Sequence, residues 1–362
     1  MSERLIKVKI PGKLMVAGEF AVLEPYHKLV VIAVDRFVYT TIQSSDDNVL
    51  TLENFGLENI KWSWDEKQSQ VNLAVSDGRT RFVEAAMNVT LTYLAEQSIV
   101  PEPFSCTIRS ELDDTSGKKY GLGSSAAVVT SVVSAILEKG LGELPAEDLV
   151  FKLASIAHVV TQGNGSGADI AASTYGGMLE YSSFQADWLL TQYENKASLL
   201  ELVEKDWIYC SIKQIQIPAH IHISVGWTGS PASTGKLVNK ILRLKTTKQQ
   251  DYEAFLTSSE EAVQLFLKGL TLADDELLFK GVRLNRKALS MIGERANVEL
   301  ETPLLTKLCD LANDYGGAGK LSGAGGGDCG IAFMLSQTKK DSLEKAWKEA
   351  HIQPLAISVY FK

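Results

Sequence analysis

The sequence predicts an α+β protein of two domains, and three observations carry that expectation. β-Branched and aromatic runs dominate the opening, as in LVVIAVDRFVYTTIQ at 29–43. Long amphipathic stretches of helical period alternate with short strand-like pieces in the last third. Between them the composition shifts around Asp206 to Pro218. With 362 residues, 45% of them apolar, the chain is long enough to bury the cores of two domains.

The elements follow in order. VKI before Pro11 and Gly12, then KLMVAGEFAVL, then 29–43 read as strands, punctuated by polar turns at Ser44 to Asn48 and Ser76 to Gly78. From Thr80 to Gln97 the spacing of Phe82, Val83, Ala86, Val89, Thr90, Tyr93 and Leu94 predicts a helix, and another is expected to begin near Ser124. WIYCSIKQIQIP leads into AHIHISVGW, a strand with Ile221, Ile223 and Val225 on one face. The domain boundary is placed near Pro218, giving 1–218 and 219–362. Helices are expected over Asp251 to Lys268 and Asp274 to Ile292. Another starts at the N-cap Thr302 with Pro303 at N1 and stops at Gly316 and Gly317. Two strand-like pieces around a glycine loop, a helix near Lys339 to Ala350 and a last strand LAISVYF complete the chain.

Charge and composition exclude several functions. A balance of 36 basic against 44 acidic residues, formally -8, is wrong for neutralising nucleic-acid phosphates, so anion binding has to be local. No run approaches the ~20 apolar residues of a spanning helix, and the opening MSERLIKVKIPG lacks a signal-like apolar region, so a cytoplasmic protein without a membrane partner is expected. Cys106, Cys210, Cys309 and Cys329 form no CxxC pair and read as buried free thiols. His220 and His222, two apart on a strand, read as polar-face residues, because further metal ligands are missing. The six tryptophans are too dispersed for a stacking platform.

The richest segment is KKYGLGSSAAVVTSVVSAILEKG at 118–140, a glycine loop opening a helix with Val129, Val132, Val133 and Ile136 on its apolar face. Ser124 or Ser125 is the expected N-cap. Gly121 and Gly123 allow close approach of backbone to a ligand, and the free N–H groups with the helix dipole favour an anion. By itself such a turn is equally well a capped connection. It is not a Walker A loop, since GxxxxGK[ST] is missing from the sequence. The nearest match, GSPASTGKL at 229–237, has Leu237 where a hydroxyl is required and reads as a loop and helix start.

PGKLMVAGEFAVL at 11–23, YGLGSSAAVV at 120–129 and KLSGAGGGDCGIAF at 320–333 together, in this order, resemble the signature segments of the GHMP kinases; GNGSGADIAAS at 163–173 resembles the stretch bearing the family's conserved aspartate. The resemblance spans the chain and implies an N-terminal half like domain 2 of ribosomal protein S5, a ferredoxin-like C-terminal half and an active site between them. It implies that Gly121, Leu122, Gly123, Ser124, Ser125 and Ala126 cradle ATP, with the Ser125 hydroxyl helping to hold Mg2+. Lys13 and Asp169 become the catalytic pair, Asp169 orienting Lys13; the plainer reading is an ion pair joining two strands. Glu19, Ser166, Gly167, Ser322, Gly323, Ala324 and Gly325 are implied around the substrate, on which Lys13 also bears.

Two positions depart from the branches of this family that phosphorylate a hydroxyl. Phe20 stands where those branches commonly have histidine, and His158, eleven residues before Asp169, stands where the mevalonate branch has a magnesium-binding glutamate. Imidazole is a poor ligand for a hard, oxygen-seeking ion, so the metal would rest on Ser125, water and nucleotide. Both departures resemble the bacterial branch whose acceptor is a phosphate ester, (R)-5-phosphomevalonate. Phosphorylation of mevalonate or another small molecule, and a catalytically silent sensor on the same fold, stay open as alternatives.

Overall fold

A single long strand, β2 (Lys28–Ser44), organises the first half of the chain. The computed structural model describes residues 5–114, 117–195, 197–229 and 234–362. The β-branched and aromatic residues that predicted β2 let it serve three neighbours: β1 (Ile6–Ala17) along most of its length, β6 (Phe104–Ser110) at its C-terminal end and β7 (Met178–Ser182) at its N-terminal end. With β3 (Val49–Leu52), β4 (Leu57–Asp65), β5 (Gln70–Leu73) and β8 (Ser211–Ile215) they form an eight-stranded sheet. Its order is β5-β4-β3-β6-β2-β7-β8, with β1 paired to β2 off that path. The break expected at Pro11 is a bulge instead: β1 runs through it, and the register shifts so that Pro11 faces Phe37 while Gly12 faces Val34. Proline has no N–H for the ladder, so a bulge tolerates it.

Helices α1 (Arg81–Glu96), α2 (Ser124–Leu141), α3 (Glu147–Gln162) and α4 (Ala168–Tyr175) pack together, with α2 and α4 against β1 and β2; α5 (Ala186–Glu194) and α6 (Leu199–Glu204) are short additions. At the centre is α2, with Val129, Val132, Val133, Ile136 and Leu137 fully buried. By length and composition alone it could cross a membrane, but here its apolar surface is covered by protein. Phe184 before α5 and Trp207 after α6 come together with Phe151 of α3, their ring centroids 5.0–6.3 Å apart.

The sheets change over between Ile215 and His222. The second has the order β10-β11-β9-β12, from β9 (His222–Trp227), β10 (Ala318–Leu321), β11 (Cys329–Met334) and β12 (Gln353–Leu355), all antiparallel. Helices intervene between β9 and β10 and, as α12 (Gln337–Glu349), between β11 and β12, which is the β-α-β-β-α-β ferredoxin-like arrangement. The intervening helices are α7 (Thr234–Leu242), α8 (Leu244–Thr247), α9 (Gln249–Leu272), α10 (Asp275–Arg295) and α11 (Pro303–Asp314). Thr302 caps α11 as its sequence predicts, its side chain accepting from Leu305 N. Residues 230–233 of GSPASTGKL lie outside the described residues, and α7 begins at Thr234.

The final stretch corrects one expectation. LAISVYF is not a strand of the second sheet: β12 ends at Leu355, and the chain crosses to the first domain, where Val359 bridges Val34 and Tyr360 N donates to Ala33 O. Its apolar alternation therefore serves two different surfaces. The thiols are free as expected; Cys106, Cys309 and Cys329 are buried and Cys210 half-buried, and burial pushes Cys106 up to about 12. His220 pairs with Asp275 at 2.8 Å on the surface, and among the described residues no metal-binding cluster occurs.

Long helices α9 and α10 pack against each other at glycine. A Cβ on Gly281 would lie 2.6 Å from Phe266 N and 2.8 Å from Ala262 O, both rigid backbone. Gly281→Ala is therefore expected to destabilise the protein by about 1–3 kcal/mol, lowering the melting temperature by about 2–4 °C per kcal/mol. Gly78→Ala, where a Cβ meets open space, should leave it within a degree or so. Equal melting temperatures for the two variants in a thermal-shift assay would contradict this packing.

Candidate active site

Three turns converge on one cavity of ≈ 420 Å³ between the domains. The first follows β1, the second precedes α2 and the third joins β10 to β11. Lys13 and Met15 come from β1, Gly121 to Ser125 from the second turn, Ser166 and Asp169 from the start of α4, and Ser322 to Ala324 with Asp328 from the third. A larger cavity of ≈ 680 Å³ beside β8, lined by Phe151, Tyr175 and Trp207, receives none of these residues. The expected site residues therefore meet at the smaller space.

The second turn differs from its expected capping. Neither serine is the N-cap of α2: that position is Gly123, at φ +79°, and no side chain caps the helix. Ser124 and Ser125 are consequently the first two helical residues, and the N–H groups of the first turn remain available to an anion. The glycines also serve a purpose the sequence did not reveal. A Cβ on Gly121 would lie 2.7 Å from Asp328 Cβ, and one on Gly123 would lie 2.9 Å from both Cγ and Cε of Lys13. Their bareness lets the third turn and the lysine stem lie against the phosphate-type loop. Lys13 N donates to Leu122 O at 2.8 Å, binding β1 to the same loop.

Lys13 Nζ donates to Gly121 O at 3.3 Å and, among the described residues, is in no salt bridge. The expected pair with Asp169 is thus not made here. Asp169 instead accepts from Ile170 N with Oδ1 at 3.0 Å, a bond belonging to the helix start, while Oδ2 lies 3.9 Å from His158 Nε2. The same Nε2 is 3.3 Å from Ser125 Oγ. His158 is buried on α3 and stacks on Phe82 at 5.3 Å, and the guanidinium of Arg81 lies 4.9 Å over that ring. The histidine so occupies the space between Ser125 and Asp169.

Other expected residues divide by position. Leu122, Ser166, Ser322, Gly323 and Ala324 reach the cavity wall, whereas Ala126, Gly167 and Gly325 do not line it. Ala126 is fully buried in α2. A Cβ on Gly167 would meet Phe184 at 2.3 Å, and one on Gly325 would meet Leu300 O at 2.3 Å, so both permit close packing behind the wall. Glu19 is 4% exposed, with its oxygens engaged by Lys320, Asn285 and the N–H of Gly323. Phe20 lines the cavity and also packs with Ile241, Leu244, Phe255 and Leu289 of the second domain.

Arg81, Phe82, Lys119, Gln162, Asn164, Val238 and Asp328 also line the cavity but are not identified as site residues in the sequence. Lys119 and Asp328 sit inside the quoted segments, two residues before Gly121 and three after Gly325. Arg81 and Phe82 had no signal beyond the amphipathic face of α1. Lys13, Arg81 and Lys119 bring three cations to a cavity whose wall also carries Glu19, Asp169 and Asp328, and among the described residues none of the three cations is in a salt bridge.

Cationic side chains, an open helix N-terminus and glycine turns between two domains define a phosphate-handling site on this fold. The model of the GHMP kinases N terminal domain matches residues 81–177, and that of the GHMP kinases C terminal domain matches residues 267–353. The chain belongs to the GHMP kinase family. It is 30% identical to a phosphomevalonate kinase of Streptomyces sp. (strain CL190), covering 98% of this chain and 97% of that one. Among solved structures, the Lin0012 protein from Listeria innocua superposes with a TM-score of 0.92 at 37% identity, over 99% of this chain and 98% of the other. A Streptococcus pneumoniae phosphomevalonate kinase in complex with phosphomevalonate and AMPPNP superposes at 0.84 with 28% identity, over 98% and 100%.

Proposed function

We propose that this protein transfers the γ-phosphoryl group of ATP to the phosphate of (R)-5-phosphomevalonate, giving the diphosphate and ADP. The observation that carries the reading is the convergence of Lys13, Arg81 and Lys119 with the N-terminus of α2 on one cavity. Two phosphorylated reactants bring several negative charges together, and fixed cations offset that repulsion. The likeness to the Streptomyces and Streptococcus enzymes supports the same acceptor. We place the division between a nucleotide-binding domain and its partner near Pro218.

An oxygen of the acceptor phosphate forms a bond to the γ-phosphorus as the bond from that phosphorus to the β,γ-bridging oxygen breaks, and ADP takes the electron pair. A phosphomonoester with a second pKa near ~6 is largely dianionic at neutral pH, so no proton has to be removed from the nucleophile. Alignment and charge stabilisation then carry the rate. Lys13 bridges the attacking and transferred groups, Ser124 and Ser125 with the backbone of 121–123 hold the nucleotide phosphates, and Asp169 adjusts the field around Lys13. Gly323 and Ala324 close the third side.

Magnesium fits this donor set as an ion carried by nucleotide. Mg2+ usually keeps several waters and takes one or two protein oxygens plus phosphates, and the Ser125 hydroxyl is such an oxygen on the wall. When bound, it would neutralise charge on the polyphosphate.

The test is ADP release with mevalonate, phosphomevalonate and diphosphomevalonate in parallel, each with ATP and magnesium. Phosphomevalonate is expected to exceed mevalonate by at least about 100-fold in kcat/KM, because an acceptor without phosphate leaves cations unmatched. Preference for mevalonate would replace this reading with a hydroxyl kinase, and turnover with none would favour the silent sensor.

A further inference from the structure

Lys320 is fully buried, at 0% exposure, and its ammonium donates to Glu19 Oε1 and to Leu321 O. Burying an ion pair is costly, and well-packed apolar residues often serve stability as well or better. The arrangement around this pair indicates what it positions. Glu19 Oε2 accepts from Asn285 Nδ2 at 2.9 Å, and Asn285 Oδ1 accepts from Gly18 N at 3.0 Å. Glu19 Oε1 also accepts from Gly323 N at 3.4 Å. Beside it Ser322 Oγ accepts from Met15 N at 3.0 Å and donates to Met15 O at 2.9 Å. Apart from the bond from Lys320 to Leu321 O within β10, each joins β1 or the first turn, in one domain, to α10, β10 or the third turn, in the other.

We propose that Glu19, Lys320 and Asn285 form a positioning unit that sets the third glycine turn against the strand carrying Lys13. Glu19 reaches the cavity wall, but it is buried and both its carboxylate oxygens are held by Asn285, Lys320 and Gly323; in this assignment it acts through the turn and does not contact substrate. Met15 is two residues from Lys13, and Gly323 is on the cavity wall, so a shift in this network changes the spacing across the reacting centre. Binding tolerates such a shift better than phosphoryl transfer does, since misplacement by ~1 Å can cost ~100-fold in rate. The inference rests on the kinase reading but not on the identity of the acceptor.

The experiment is a double-mutant cycle of Glu19→Gln and Lys320→Met, with Asn285→Ala alongside. Each charge-removing single variant leaves a buried charge unpaired and is expected to lose stability, so the double variant, in which the two charges leave together, is decisive. It should fold, as judged by circular dichroism, with kcat lowered at least about tenfold and both KM values changed by less than about threefold. Amide hydrogen exchange of residues 322–327 should rise at least about tenfold while that of α2 is unchanged. Asn285→Ala should show the same separation of kcat from KM.

A folded double variant with unmodified kcat, or effects confined to KM as a direct substrate contact would produce, would overturn the assignment. So would single-variant effects that merely add. If the unmodified protein turns over no acceptor, the functional reading fails by itself, and hydrogen exchange of 322–327 still decides the positioning role: a rise supports it, and no change overturns it.

Discussion

Lys13→Met is expected to lower kcat by about 10²–10³-fold while changing the KM values for ATP and acceptor by only a fewfold. The magnitude is that of removing one preorganised charge donor from a transition state. The geometry selects methionine as the replacement. The lysine stem occupies the space that a side chain on Gly123 would need, with Cγ and Cε at 2.9 Å from that position, so alanine would remove packing as well as charge. Methionine retains most of the stem and loses the ammonium that donates to Gly121 O. Single-turnover rates with both substrates bound isolate the transfer step. A loss confined to KM would make Lys13 a ground-state binding residue.

Gly123→Val is expected to reduce kcat/KM by about 10²–10³-fold and to weaken binding of a non-hydrolysable ATP analogue, with the fold retained. Two effects combine. Gly123 has φ +79°, and a β-branched residue held in that region carries strain of about 1–3 kcal/mol. The new side chain would also displace the stem of Lys13, so the substitution reaches the catalytic cation through the loop. Calorimetric titration of the analogue, with circular dichroism to verify folding, checks the result. Unchanged affinity and turnover in a folded variant would remove Gly123 from the site and would contradict its contact with Lys13.

Most of the long helices were legible from an apolar face repeated over several turns, although α3, with Val150, Phe151, Leu153 and Ile156 buried, passed unmarked. Phe82 to Leu94 marked α1, and the pattern over Asp251 to Ile292 marked α9 and α10 to within a few residues. Short strands β3, β4 and β5 passed unmarked, because four to nine residues with one half-exposed face carry little periodic signal. The closing LAISVYF was misread for a related reason. Alternation shows that a segment is half-buried, but not against which sheet, and here the two ends of the segment belong to different sheets.

By itself the sequence determined the two-domain α+β class, the glycine loop opening α2, and the segments whose joint resemblance marks the family. Those features depend on neighbours along the chain: apolar period, glycine spacing and the residues that flank a helix start. Only the tertiary structure decided that Gly123 and neither serine caps α2, that His158 lies between Ser125 and Asp169, that Arg81 enters the cavity from α1, and that Glu19 is held by Lys320 and Asn285. The cap aside, these depend on residues brought together from separate parts of the chain, from 11 positions apart for His158 and Asp169 to 301 for Glu19 and Lys320. A side chain's partner at that separation is set by how the sheets and helices pack, and local composition carries no record of it.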